Sequence, residues 1–540
     1  MAHCRYCVRF ARSSFSLHHF VPRSVGHLRP YASVFSSYHR VSYRSRSIHH
    51  HHLAPMEDRL QEHLYRRRRE GTLRTLLPLQ KPDHSNDDEP SPSSSSPLSS
   101  IDFASNDYLG LARCRDQHEF VESAYRQLFP PNAKLSVPSS SPSSAVTQQP
   151  PMLGASGSRL LSGDSHLARS LEAKLAQVHN RPTALLFNSG YDANLSILSS
   201  LPYTEDDAIV MDELVHNSLV MGVRMGRLNR KRVFLFRHND VEDLKRVLEE
   251  VTSPSSPSPS STLVVVESVY SMDGDIAPLK EIMGLAQSMG AGVMVDEAHG
   301  LGIYGHTNAH DLKMNKKSNV VPDVKRIDGD KIKVKPKTKG GTGVLAALNL
   351  ERHPALLCSI HTFGKAAGCH GAVVAGSSTL ISYLVNYARP FVYSTALPPH
   401  SLISIRQAYE SMMGPVGERR RRVVFRWVRL FREEISDGIA ALKEEFPGMD
   451  FELLPSPSPI QAVVVPGNER CISVCQYLRN VGKFDVYPIR TPTVAKGKER
   501  IRIILHSHNE EKDIHALAKL LLQSLRQLMM PCDRKLVSKL

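Results

Sequence analysis

The sequence predicts an α/β fold: a large domain with a mainly parallel sheet flanked by helices, and a smaller C-terminal α+β domain. Three observations lead there. Short apolar runs at 184–187, 209–212, 263–267 and 292–295 read as buried strands, and helical patterns such as 167–178 and 278–286 lie among them. The run at 292–295 stops at Asp296, with His299, Gly300 and Gly302 just beyond. Ligands of open α/β sheets bind beyond the carboxyl ends of strands. The chain has 540 residues, 41% of them hydrophobic, enough for a large core and more than one domain.

Charge and cysteine usage narrow the class. The net charge is +15, yet residues 1–55 hold eight Arg and no Lys, Asp or Glu, so more than half of the excess lies outside the fold. No nucleic-acid signature accompanies the charge, and no apolar run reaches the length of a membrane span. Neither nucleic acid nor a membrane is an expected partner. The basic runs Arg66 to Arg69 and Arg419 to Arg422 read as solvated helix faces. The eight Cys are scattered, as in a reduced intracellular protein.

Along the chain, residues 1–55 are Arg- and Ser-rich and acid-free, the composition of a mitochondrial transit peptide. The tail 531–540 ends in Ser538-Lys539-Leu540, a peroxisomal address, and the expectation is a peroxisomal product met by the import receptor. The leader leaves a second compartment open, and Met56 is an alternative start. Residues 56–100 comprise a helix pattern over 57–77 and a Ser/Pro/Asp-rich linker. The large domain is assigned to 101–405, with inserts at 130–151, 252–262 and 306–342, and the small domain to 406–530. The Gly/Ser loop 154–163 is by itself as readily a turn as a site. Gly190 stands at a strand-to-helix junction, where backbone N–H groups can approach a phosphate. His216 follows the strand 209–212 and reads as a helix cap on its own. Asp273-Gly274 is a turn signal. The Lys-rich insert 306–342 reads as an exposed surface insertion.

Ser359-Ile360-His361-Thr362-Phe363-Gly364-Lys365 sets a lone Lys among small residues after another apolar run. An acid at one strand end and such a Lys suit pyridoxal phosphate (PLP) chemistry. The amine forms a Schiff base with the cofactor aldehyde, and the carboxylate keeps the pyridine nitrogen protonated.

With the strings Ser105-Asn106-Asp107-Tyr108-Leu109-Gly110, Ser271-Met272-Asp273-Gly274-Asp275 and Thr362-Phe363-Gly364-Lys365 in place, the chain resembles the α-oxoamine synthase family of fold-type I PLP enzymes from about 66 to about 525. The resemblance implies PLP as cofactor, with Lys365, His216 and Asp296 catalytic. It places Gly190, Tyr191 and Thr362 at the cofactor phosphate, His216 on the ring face, and Ser271 beside the ring. It places Asp296 at the ring nitrogen and His299 near the phenolic oxygen. Ser394 and Thr395 belong to a segment that reaches the phosphate of a neighbouring subunit, which implies a homodimer with active sites at its interface. Arg74, Asn106, Arg490, Thr493 and Arg502 become substrate contacts, the two later Arg as carboxylate binders. Arg490 stands where aminolevulinate- and aminoketobutyrate-forming relatives usually have Asn or Tyr. This favours the branch that condenses L-alanine with pimeloyl-CoA. Glu297 replaces the second Asp of many relatives and is expected to matter little. A sister synthase, a class I/II aminotransferase and an inactive scaffold subunit are the alternatives. The intact Lys365 and Asp296 speak against the last.

Overall fold

The computed structural model describes residues 55–70, 72–73, 100–129, 152–251, 261–308, 312 and 340–530. The leader 1–54, Arg74, the inserts 130–151 and 252–260, most of 306–342 and the tail 531–540 lie outside the described residues. The chain divides into two units, Met1–Arg66 and Arg67–Leu540. The helix Pro55–Arg69 begins in the first, and its residues from Met56 on are exposed. The periodicity predicts this helix as far as Leu77, but it ends at Arg69. Thr72 and Leu73 both donate to the Arg67 carbonyl, just after a Gly in the sequence.

The strands of the second unit, in chain order, are β1 (Ile101–Asp102), β2 (Thr183–Phe187), β3 (Ala208–Asp212), β4 (Val233–Phe236), β5 (Thr262–Glu267), β6 (Gly292–Asp296), β7 (Leu356–Thr362) and β8 (Ala372–Gly376). They continue with β9 (Glu452–Leu453), β10 (Ile460–Val464), β11 (Phe484–Asp485), β12 (Tyr487–Ile489) and β13 (Arg500–Ile504). Seven form one sheet in the order β2-β8-β7-β6-β5-β3-β4. All neighbours from β7 to β4 run parallel, while β8 runs antiparallel to both β2 and β7. The central strands are buried on both faces, which is why β5 reads Leu263-Val264-Val265-Val266 without alternation. Each fully buried Val contributes roughly 1.5–3 kcal/mol.

Helix starts are fixed locally. Ser165 accepts from Ala168 N at 3.2 Å at the head of His166–Val178, and Ser189 accepts from Asp192 N at 3.0 Å at the head of Gly190–Ser200.

A second core belongs to the smaller sheet, β12-β13-β10-β9, which is antiparallel throughout. It is built from Trp427, Phe431 and Ile435 of the helix Pro415–Glu445 and from Ile514, Leu517 and Leu521 of Glu511–Met529. Val424 and Phe425, one turn earlier on the long helix, belong to the first core, so this helix joins the two. The sequence boundary at 405/406 falls inside the helix Pro399–Met413, whose Leu402, Ile405 and Ala408 pack in the first core. Phe103 lies in the second core although it is distant in sequence. β1 pairs with β11, Ile504 N donates to Phe103 O, and Ser507 N donates to Tyr108 O. These bonds stitch the 103–108 segment to the end of β13.

The run Arg419 to Arg422 is only half a solvated face. Arg421 is 2% exposed and donates to Gly302 O at 3.2 Å, Met412 O at 2.7 Å and Glu418 Oε2 at 2.9 Å. Arg420 donates to Leu109 O. Only Arg419 and Arg422 are exposed. The ends of the 306–342 segment are buried as well. Asn308 and Thr342 are buried, and Gly302 N donates to Gly341 O at 2.8 Å.

His238 closes the carboxyl ends of β3 and β4. Its Nδ1 lies 2.9 Å from Asp212 Oδ1 and its Nε2 lies 2.7 Å from Asp275 Oδ2. Burial opposes its charge, but the two carboxylates win and raise it to about 10. A folded-state value above the unfolded one gives stability that is complete below pH about 6.5 and is lost as pH rises through about 10. His238→Gln is therefore expected to destabilise the protein by about 1–3 kcal/mol near neutrality. Urea melts across pH are expected to show this deficit shrinking toward pH 10, and a pH-independent deficit would contradict the clasp.

Candidate active site

The parallel strands deliver their last residues to one edge. Asp296 ends β6 and pairs in register with Ile360 of β7 and Glu267 of β5. β7 ends at Thr362, and Lys365 follows three residues later. His216 lies on the turn after β3 and caps the helix Asn217–Met225, accepting from Ser218 N at 3.3 Å.

Hydrogen bonds fix the acid. Asp296 Oδ2 accepts from Asn194 Nδ2 at 2.7 Å, and Oδ1 accepts from Ala298 N at 2.9 Å. Asn194 Nδ2 also donates to Ser218 Oγ at 3.0 Å, and that hydroxyl lies 2.7 Å from His216 Nδ1. Glu267 Oε1 accepts from His216 N at 2.5 Å. Burial, reinforced by the Asp296 charge, raises Glu267 well above the usual carboxylate range.

The amine has its own chain. Lys365 Nζ lies 2.8 Å from His299 Nε2, and His299 Nδ1 lies 2.5 Å from the Tyr108 hydroxyl. Tyr108 OH donates to Asn106 Oδ1 at 3.3 Å, which also accepts from Arg502 Nη2 at 3.0 Å. Burial lowers Lys365 to about 8, although Asp296 and Glu267 pull the other way. Burial, with the Lys365 charge, holds His299 well below the usual imidazole range. An amine whose basicity is lowered toward neutrality can act as nucleophile and base.

At the other end, Gly190 and Tyr191 open the helix Gly190–Ser200, where free N–H groups and the helix dipole favour an anion. A Cβ on Gly190 would meet Thr362 Oγ1 at 3.2 Å, so a side chain there would have to push Thr362 by a few tenths of an ångström. A phosphate cradle, a lysine of lowered basicity and a strand-end acid are the donor set PLP requires, and the residues fit that cofactor.

The structure brings Lys365, Asp296, His299, His216, Asn106 and Arg502 into connected networks, and sets Gly190 against Thr362. His299 was expected near a ring oxygen, and its bonds here go to Lys365 and Tyr108. Ser271 lies on the turn after β5. Ser394 and Thr395 follow the helix Arg389–Tyr393, and Asn188 Nδ2 donates to Thr395 O at 2.9 Å within the same chain. Arg490 and Thr493 lie on the loop after β12, with Thr493 N donating to Arg490 O at 2.8 Å.

The sequence reading missed Tyr108, Asn194 and Glu267 as members of the site. Glu267 carried the same signal as Asp296, an acid closing an apolar run. The expectation for Glu297 needs correction. It is fully buried, accepts from Ser268 Oγ at 2.7 Å, and holds the N-H groups of Val344 and Leu345 at 3.0 and 2.6 Å. Any side chain at Gly300 or Gly343 would collide with it. The longer acid thus binds the returning end of the 306–342 segment to the strand that carries Asp296.

The sequence matches the family described as Aminotransferase class I and II over residues 100–520. The chain belongs to the class I and II aminotransferase family. An 8-amino-7-oxononanoate synthase from Emericella nidulans is 34% identical, with 78% of this chain and 88% of the relative covered. The enzyme of that name from Chromohalobacter salexigens is 32% identical over 77% and 87%. Among solved structures, SPT with a PLP internal aldimine superposes with a TM-score of 0.60 at 25% identity, covering 79% of this chain and 88% of that one. The enzyme described here is a PLP-dependent acyltransferase, and its mainly parallel sheet is that of fold type I.

The cradle is testable. Gly190→Val is expected to weaken PLP binding at least about tenfold, because the branched Cβ pushes Thr362 aside. Fluorescence titration of the apoprotein with PLP measures this, and unchanged affinity would rule out Gly190 as part of the phosphate site.

Proposed function

We propose that this synthase condenses L-alanine with pimeloyl-CoA, releasing CoA and CO2 and giving 8-amino-7-oxononanoate for biotin biosynthesis. The observation that supports the reading is the chain Lys365–His299–Tyr108–Asn106–Arg502, which joins an amine and a guanidinium in one site. The relatives that carry the oxononanoate name support the choice of substrates.

PLP, when bound, supplies an aldehyde for amines and an electron sink that acidifies the Cα–H bond of an amino acid. Gly190, Tyr191 and Thr362 would hold its phosphate, His216 its ring face, and Asp296 its ring nitrogen, with Ser271 beside the ring. The Asp296 carboxylate, already oriented by Asn194 and Ala298, favours a protonated nitrogen there. Lys365 accepts the α-proton of alanine in its neutral form, which its solvent-poor setting populates. Arg502 and Asn106 orient the alanine carboxylate, whose loss as CO2 follows acyl transfer. Arg490 and Thr493 contact the distal end of the acyl chain, where a second carboxylate matches a guanidinium, and Arg74 lies at the acyl mouth. Ser394 and Thr395 reach the phosphate of a second copy in a homodimer.

A panel of amino acids and acyl-CoA thioesters tests the substrates, with L-alanine and pimeloyl-CoA expected to give the highest kcat/KM. Preference for glycine or serine would replace this reading with that of a sister synthase. Arg502→Gln is expected to raise KM for L-alanine by about tenfold or more. An unchanged KM would remove Arg502 from the carboxylate site.

Import into peroxisomes through Ser538 to Leu540 is the accompanying proposal for location. Deleting those three residues from a chain with a free C-terminus is expected to disperse the peroxisomal signal on imaging. A signal that stays in peroxisomes would refute it.

A further inference from the structure

Tyr108 is wholly buried, yet its hydroxyl is the junction of the site. It lies 2.5 Å from His299 Nδ1 and 3.3 Å from Asn106 Oδ1, which the Arg502 guanidinium also contacts. One hydroxyl has one proton, so the network decides where that proton goes. Asn106 Oδ1 accepts from Arg502 and is a pure acceptor, which draws the Tyr108 proton toward it. The Tyr108 oxygen, with its proton turned to Asn106, then accepts from His299 Nδ1–H. A neutral His299 with its proton on Nδ1 presents a bare Nε2, the atom 2.8 Å from Lys365 Nζ. With the opposite tautomer, Nε2–H would point at an ammonium. The assignment gives the Tyr108 hydroxyl, Asn106 Oδ1 and both His299 ring nitrogens compatible partners.

The arrangement is held from outside. Tyr108 O accepts from Ser507 N at 2.9 Å and Phe103 O accepts from Ile504 N at 2.8 Å, so the backbone carrying the phenol is bonded to the end of the strand carrying Arg502. Tyr108 and His299 are 191 positions apart, and nothing in the rings' own packing sets the tautomer. Their planes are tilted at 53° with centroids 6.1 Å apart, so the hydroxyl is the contact that matters.

We propose that Tyr108 is a positioning residue for the reaction: its hydroxyl, oriented by Asn106, which Arg502 holds, fixes His299 with the proton on Nδ1 and the Nε2 lone pair facing Lys365. The inference rests on Lys365 being the reactive amine. It does not depend on alanine or pimeloyl-CoA being the substrates. Losing the hydroxyl frees His299 to place its proton on Nε2, which takes an acceptor away from the Lys365 ammonium and lowers its basicity. The other charged groups around Lys365, namely Asp296 of β6, Glu267 of β5, His216 and Arg502, stay in place.

The experiment uses the apoprotein, so it reads the chain's own groups. Trace labelling with acetic anhydride at a series of pH values, followed by mass spectrometry of the Lys365 peptide, gives the pH midpoint of Lys365 reactivity. Tyr108→Phe keeps the ring and is expected to lower this midpoint by about 0.5 pH unit or more. In a His299→Gln background the same substitution is expected to have no effect, because the hydroxyl acts only through the imidazole. Equal shifts in the two backgrounds, or no shift in the first, would overturn the proposal. Asn106→Ala, which removes the acceptor for the Tyr108 proton, is the second variant, with a shift of the same sign expected. If Tyr108→Phe does not fold, a midpoint that Asn106→Ala leaves in place overturns the proposal. A different substrate for the enzyme would leave all of these results standing.

Discussion

Everything in the site depends on keeping an amine and a carboxylate at the ends of two adjacent parallel strands in a region short of water. Asp296 ends β6, Lys365 follows β7, and the register that pairs Asp296 with Ile360 fixes their separation. Buried charges are costly alone, and each group here has compensation: the carboxylate through Asn194 and Ala298 N–H, the amine through His299 and the nearby acids. The lysine is left less basic than usual. The sheet supplies geometry, and the loops supply the donors.

Two further constraints keep that edge in place. Glu297, next to Asp296, binds the segment returning from 340 to 345 to that strand through the N–H groups of Val344 and Leu345. Arg421 does the corresponding work from the other side, gathering carbonyls of Gly302 and Met412 around one buried guanidinium. The described ends of the insertion thus lie within a frame bonded to the strand that carries Asp296. The N-terminal 103–108 segment is likewise part of the small domain's frame, and it carries Asn106 and Tyr108 to Arg502.

The large sheet was legible because its strands are continuous apolar runs, and the predicted 184–187, 209–212 and 263–267 each lie within an observed strand. Asp296 and Lys365 were legible because a charge that ends an apolar run is conspicuous. The antiparallel β8 was not, since direction leaves no mark on a buried run. The burial of Arg421 was not, because one helix face is read from periodicity and four successive Arg hide it. Tyr108 and Arg502 are joined through Asn106 across almost 400 positions, 396 between Asn106 and Arg502. No local pattern encodes such a contact. Glu297 was misjudged because its partners, the N–H groups at 344 and 345, are backbone atoms that any sequence offers.

The central claim is that the Lys365 amine and the Asp296 acid serve one cofactor, with the amine bonded to its aldehyde. Borohydride reduction of the purified PLP-loaded enzyme, followed by peptide mass spectrometry, reads this bond directly. The account predicts a single pyridoxyl-phosphate adduct on Lys365, and none when Asp296→Ala has lost the cofactor. An adduct on another lysine, or an unmodified Lys365 in fully loaded enzyme, would contradict it.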